Sequence, residues 1–115
     1  MNNKAISIVD GVIKIGGKEV ELQWPIVQAL KHHGLIIVRV EPPVGEIFNR
    51  NIFGLDTDGE VVWQIEESPH GGGIDRPYMN ILINENDELI ASNWNGIDYI
   101  VSLDNGSVQV KTFNK

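Results

Sequence analysis

The chain has no cysteine, which excludes structural disulfides and thiolate metal sites. It has no apolar run near the ~20 residues that a membrane-spanning helix requires. Its first residues, Met-Asn-Asn-Lys-Ala-Ile, lack the basic segment and apolar stretch of a secretion signal, so a cytoplasmic, unprocessed chain is expected. Positive charge is scarce over most of the second half. Residues 56–104 carry eleven Asp and Glu against Arg76 alone, a net of −10 within a chain of net charge −7. A nucleic-acid backbone needs clustered Lys and Arg, so it is not an expected partner; a basic protein is a better match.

Hairpin grammar is what the sequence has in abundance. From Asn51 to Lys115, runs rich in Val, Ile, Trp and Tyr alternate with Asp56-Thr57-Asp58-Gly59, Asn84-Glu85-Asn86-Asp87, Asn95-Gly96 and Asp104-Asn105-Gly106. Asn and Asp bond their own backbone and Gly accepts positive φ, so these are turn signals between six short strands. Residues 67–77 form the one long irregular loop of this half. In the first half, 4–9, 12–15 and 18–24 read as a small meander, with Val20, Leu22 and Trp24 on one face. Pro25, followed by Ile26, Ala29, Leu30 and His33 at i, i+3, i+4, i+7 spacing, predicts a helix over 25–33, closed by Gly34 as a C′ cap. Leu35–Val40 is almost wholly apolar, which suggests a strand covered on both faces. Pro42-Pro43-Val44-Gly45 ends it.

With 115 residues and 42% hydrophobic composition, one domain spanning 1–115 can build a real core. The expected fold is mainly β: an antiparallel meander of eight or nine strands, forming a sandwich or partly open barrel, with one short helix.

Asn51 to Glu66, an aliphatic pair, Leu-Asp, a turn Gly and then Val-Trp, resembles one repeat of a quinoprotein-type β-propeller, and 97–110 echoes it without the Trp. A propeller needs typically four or more blades, so the likeness implies blade-like hairpins and no quinone cofactor. The overall order of segments also resembles small uncharacterised bacterial all-β proteins, a likeness that implies no activity.

Consecutive antiparallel strands send alternate turns to opposite ends of a sheet, so turns 56–59, 84–87 and 104–106 are expected together. That end would gather Asp56, Asp58, Glu60, Glu85, Asp87, Glu88 and Asp104, with no Lys or Arg in those turns. Asp in turns has a plain conformational reason, and exposed carboxylates keep hairpins soluble. As a surface, the cluster would dock a basic protein, with charge mainly raising on-rate and selectivity. Asp56-x-Asp58-Gly59-Glu60 copies only a fragment of a calcium loop and cannot supply six to eight oxygens.

The opposite end would hold His70, Arg76, Trp94 and Asn95, an alternative site for a small ligand or carbohydrate. His70-Gly71-Gly72-Gly73 resembles an oxyanion loop, but the Gly-x-Ser-x-Gly partner motif is absent. Nothing fixes His70 and Asp75 as an acid–base pair. On a helix, His32 and His33 would diverge by ~100° and could not share a metal. No catalytic residue, cofactor or metal is therefore expected. The function that fits is a non-enzymatic protein-binding domain with an acidic surface, for which a bacterial immunity or inhibitor protein against a basic toxin such as a nuclease is the expected form. Self-association through the edge strand at Ser107–Phe113 is a further expectation.

Overall fold

The computed structural model describes residues 4–70 and 73–111, and every regular element in them is a β-strand. Strands β1 (Ile6–Val9), β2 (Val12–Ile15) and β3 (Lys18–Val20) form one antiparallel sheet. A second contains β4 (Ile26–His32), β5 (Leu35–Val40), β6 (Ile52–Leu55) and β7 (Val61–Gln64). The third contains β8 (Tyr78–Ile83), β9 (Leu89–Asn93), β10 (Asp98–Val101) and β11 (Val108–Val110). Each sheet is a meander in chain order. Among the described residues the strands number eleven instead of eight or nine. The up-and-down path is interrupted once after Asn51, because β7 and β8 do not pair and residues 65–77 cross between sheets. Of the strand expected at Ser107–Phe113, residues 112 and 113 lie outside the described residues.

The second sheet is apolar on both faces. Ile36, Val38, Val40 and Leu55 pack with Ile13, Ile15 and Ile26 on the side of the first sheet. Ile37, Ile52, Trp63 and Ile65 pack with Tyr78, Ile81, Leu89 and Tyr99 on the side of the third. Alternate side chains of β5 thus enter different cores, which is why Leu35–Val40 carries an almost unbroken apolar run. Ile97, Tyr99, Val101 and Leu103 all turn into the second core.

The helix expected at Pro25–His33 is strand β4. A bulge explains the misleading spacing: Ile26 pairs with Val40, but Gln28, not Val27, is next in register, opposite Arg39. The extra residue puts Ile26 and Ala29 on one face and Leu30 on the other. An i, i+3, i+4 pattern results without helical winding. Gly34 is not a helix cap. With His33 it forms the two-residue turn into β5, both residues left-handed at φ 50° and 79°.

Tyr78 opens β8 fully buried, its ring edge-on to Tyr99 at 6.1 Å and its hydroxyl donating to Glu66 O at 2.8 Å. Burial holds its phenol well above the usual pKa, with Tyr99, Glu66 and Glu67 adding to the shift and Arg76 opposing it. A raised folded-state pKa means stability is fully present below the unfolded value of about 10 and is lost as pH rises beyond it. Stability should therefore fall from about pH 10 upward, and Tyr78→Phe should flatten that decline in urea melts taken at several alkaline pH values. An unchanged slope in the variant would place the alkaline sensitivity elsewhere.

Candidate functional site

The crossover 65–77 is fastened by asparagines. Asn49 Oδ1 accepts the Arg76 amide at 2.7 Å, and its Nδ2 donates to Ile74 O at 2.7 Å. Asn93 Nδ2 donates to Arg76 O at 3.0 Å. Asn51 Nδ2 donates to Tyr78 O at 2.8 Å, and its Oδ1 accepts the Tyr78 amide at 2.9 Å. Buried backbone groups that no sheet partner satisfies must find side chains, and these three amides serve that need.

His70, Arg76, Trp94 and Asn95 lie near one another, and most of their polar atoms are engaged within the protein, although the buried Arg76 Nε has no hydrogen-bond partner among the described residues. His70 Nδ1 and Ser68 Oγ lie 3.2 and 2.8 Å from Tyr99 Oη. Asn95 Nδ2 donates to His70 O at 3.2 Å, Arg76 Nη2 to Glu67 at 2.8 Å, and the Trp94 indole N–H to Asp75 O. The imidazole of His70 thus faces Tyr99, not Asp75. Gly71 and Gly72 of the glycine run lie outside the described residues.

Beside this fastened loop lies a groove of about 370 Å³ between the 41–48 connection and the 75–79 segment. Pro42, Val44, Phe48, Pro77 and Met79 give it apolar walls, and Glu41, Glu46 and Asp75 line it with carboxylates. The one cation in the lining, Arg39, is paired with Glu41 at 2.9 Å. Val44 and Met79 in its lining are exposed, as are Ile47 and Ile74, each next in sequence to a lining residue, and Trp94, which bonds Asp75 O and Pro77 O. The β-sheet cores do not use these side chains. From sequence, Pro42-Pro43-Val44-Gly45 reads only as the end of a strand; the signal in this stretch was Val44 and Ile47, large aliphatics with no strand pattern.

The acidic turns are less bare than their own sequences suggest. Asp56 Oδ1 accepts the Asp58 and Glu60 amides, both at 2.9 Å, so this carboxylate shapes its own turn. Asp58 meets Lys4 at 3.5 Å, and Lys18 donates to Asp58 O at 2.8 Å. Glu88 lies 3.7 Å from Lys111. Asp87 contacts His33. Glu60, Glu85 and Asp104 are exposed. Turn 56–59 and the β4–β5 turn share one end of the second sheet, and Asp87 abuts the latter. Turn 104–106 instead packs on Gln64 and Glu66, beyond the other end of β7. Asp56, Asp58 and Asp87 are brought to one end, and Asp104 stands apart from them.

Among the described residues, no helix is long and apolar enough to cross a membrane. No curated protein and no solved structure matches the chain, so the quinoprotein-type likeness of its hairpins stays a likeness of short sequence. A family model does match, over residues 3–113: the chain belongs to the family described as Domain of unknown function (DUF7957).

Proposed function

We propose that this protein acts by binding, without chemistry of its own, and that its partner is a protein presenting basic and apolar side chains to the groove between 41–48 and 75–79. The observation that carries this reading is a groove whose lining holds the exposed Val44 and Met79 together with three carboxylates, with exposed Trp94 bonded to its lining residues Asp75 and Pro77. Large exposed apolar side chains gathered at one place, rimmed by charge, mark interaction surfaces. The excess of carboxylates over 56–104 would steer a basic partner toward that surface. An inhibitor or immunity protein of the cytoplasm, holding a basic toxin inactive, is the form of this activity that best suits a small acidic chain.

Affinity capture from native lysate, at low salt and at about 0.5 M salt, tests this directly. The retained protein should be basic, should be lost by the Val44→Asp/Met79→Asp variant, and should be weakened by salt. Equal capture by that variant, or capture indifferent to salt, would refute the reading. The groove volume also falls within the range of small-molecule sites, and Trp94 stands at its edge. A saccharide or other neutral ligand would instead quench tryptophan fluorescence, and Trp94→Ala would remove the signal.

A further inference from the structure

We infer that His32, His33 and Asp87 form a binding site for a divalent transition-metal ion of the zinc class. One ligand atom from each residue lies within 4.8 Å of the other two. His32 Nε2 is 3.8 Å from Asp87 Oδ1 and 3.1 Å from Asp87 O, and His33 Nε2 meets Asp87 Oδ2. The imidazole rings stand edge to face, their centroids 4.1 Å apart.

Two neighbours in an extended strand would point to opposite faces. His32 ends β4 and is 9% exposed, but His33 is in the turn, and its left-handed backbone swings the second ring back beside the first. The carboxylate is placed by a matching irregularity. Turns 56–60, 84–88 and 93–97 share one build: the first amide bonds the fifth carbonyl, and the fourth amide bonds the first carbonyl. Their fourth residue is left-handed in each case, and it is Gly59, Asp87 and Gly96 respectively. Glycine removes the steric cost of that conformation. Aspartate keeps the cost and aims an anionic oxygen at two imidazoles. Of the non-glycine residues with left-handed φ among those described, Asp10, His33 and Asp87, two are in contact with each other. Strain of this kind concentrates where a site needs it.

Neutral imidazole nitrogen and carboxylate oxygen are donors that zinc takes at about 2.0–2.2 Å, leaving a fourth position for water. Tetrahedral ligand atoms then sit roughly 3.4 Å apart, so the His33–Asp87 contact must open and the wider pairs close slightly. Both Nε2 atoms face oxygens of Asp87, so to offer a lone pair to the ion each neutral ring must carry its hydrogen on Nδ1. Access is through the adjoining cavity of about 210 Å³, lined by Lys4, Lys31, His32, His33 and Thr57. Lys4 and Lys31 donate to Thr57 O and Lys4 O, so their ammonium groups are turned to backbone oxygens. Their charge still weakens cation binding.

Titrating the full chain with zinc chloride by calorimetry, and with cobalt(II) by visible absorption, tests the site. One ion per chain is expected, with cobalt bands of four-coordinate intensity. His33→Asn and Asp87→Gly should each weaken zinc binding at least about ten-fold. Both replacements suit left-handed backbone, and the second installs the residue that the sister turns use, so unaltered circular dichroism should show that folding is kept. His70→Ala should leave the affinity unchanged. Absence of uptake at millimolar zinc, equal affinity in both variants, or loss of uptake in His70→Ala would overturn the assignment.

Discussion

Gly54→Ala should destabilise the protein by about 3 kcal/mol and lower its melting temperature by roughly 15 °C, followed by circular dichroism and tryptophan fluorescence. Gly54 lies in β6 directly opposite Trp63 in β7, and the indole lies across it. A methyl group there would stand 2.4 Å from Trp63 Cε2 and 2.7 Å from Cζ2 and Nε1. The ring cannot simply lift away. Its N–H donates to Leu103 O at 2.9 Å, and its faces pack in the core between the second and third sheets. Accommodating one carbon therefore means breaking that bond or parting the sheets. Gly34→Ala is the contrast: the position is left-handed but nothing lies within 4 Å of the new methyl, so the cost is about 1 kcal/mol. Combining Gly54→Ala with Trp63→Phe should recover part of the loss, because the two sites share one volume. Equal melting of the two alanine variants would mean that the indole does not seal this junction.

The strands after Asn51 were legible because each lies between turns whose chemistry is local. Asp56, Asn84 and Asn93 accept amides of their own turns, a property written in four or five residues. Leu35–Val40 was legible because burial on both faces leaves Arg39 as its one polar position. What stayed hidden depends on partners distant in sequence. The bulge at Val27 is set by pairing with β5, and one inserted residue converts a two-residue period into a spacing that imitates a helix. The same error hid the His32–His33 pair, since strand, turn and helix aim neighbouring side chains differently. The carboxylates of Asp58 and Glu88 looked unopposed because Lys4 and Lys111, distant in sequence, are what reach them, while Lys18 bonds the Asp58 carbonyl. The groove was invisible for a related reason: its walls, 41–48 and 75–79, are distant in sequence, and contacts such as the asparagine ties of the crossover bring them face to face.

Asn51→Leu should therefore act on both stability and binding. Asn51 is 1% exposed, and its side chain makes three bonds: Nδ2 to Val40 O at 3.1 Å and to Tyr78 O at 2.8 Å, and Oδ1 from the Tyr78 amide at 2.9 Å. Leucine of similar volume leaves all three backbone groups without that partner in a site closed to water. Each buried unsatisfied group costs on the order of 1–3 kcal/mol, so a loss of about 4 kcal/mol in urea unfolding is expected. A loss below about 1 kcal/mol would mean that water or a shifted backbone replaces the amide. The same bonds hold Tyr78, and with it Pro77 and Met79, against the end of β5, from which the 41–48 wall departs. Asn51 and Tyr78 both line the groove, whereas Gly54 does not. Measured well below either melting transition, partner capture should weaken in Asn51→Leu and persist in Gly54→Ala. Parallel loss in both would trace binding to overall stability, and parallel retention would detach it from the groove; only the split outcome fits recognition between these two walls.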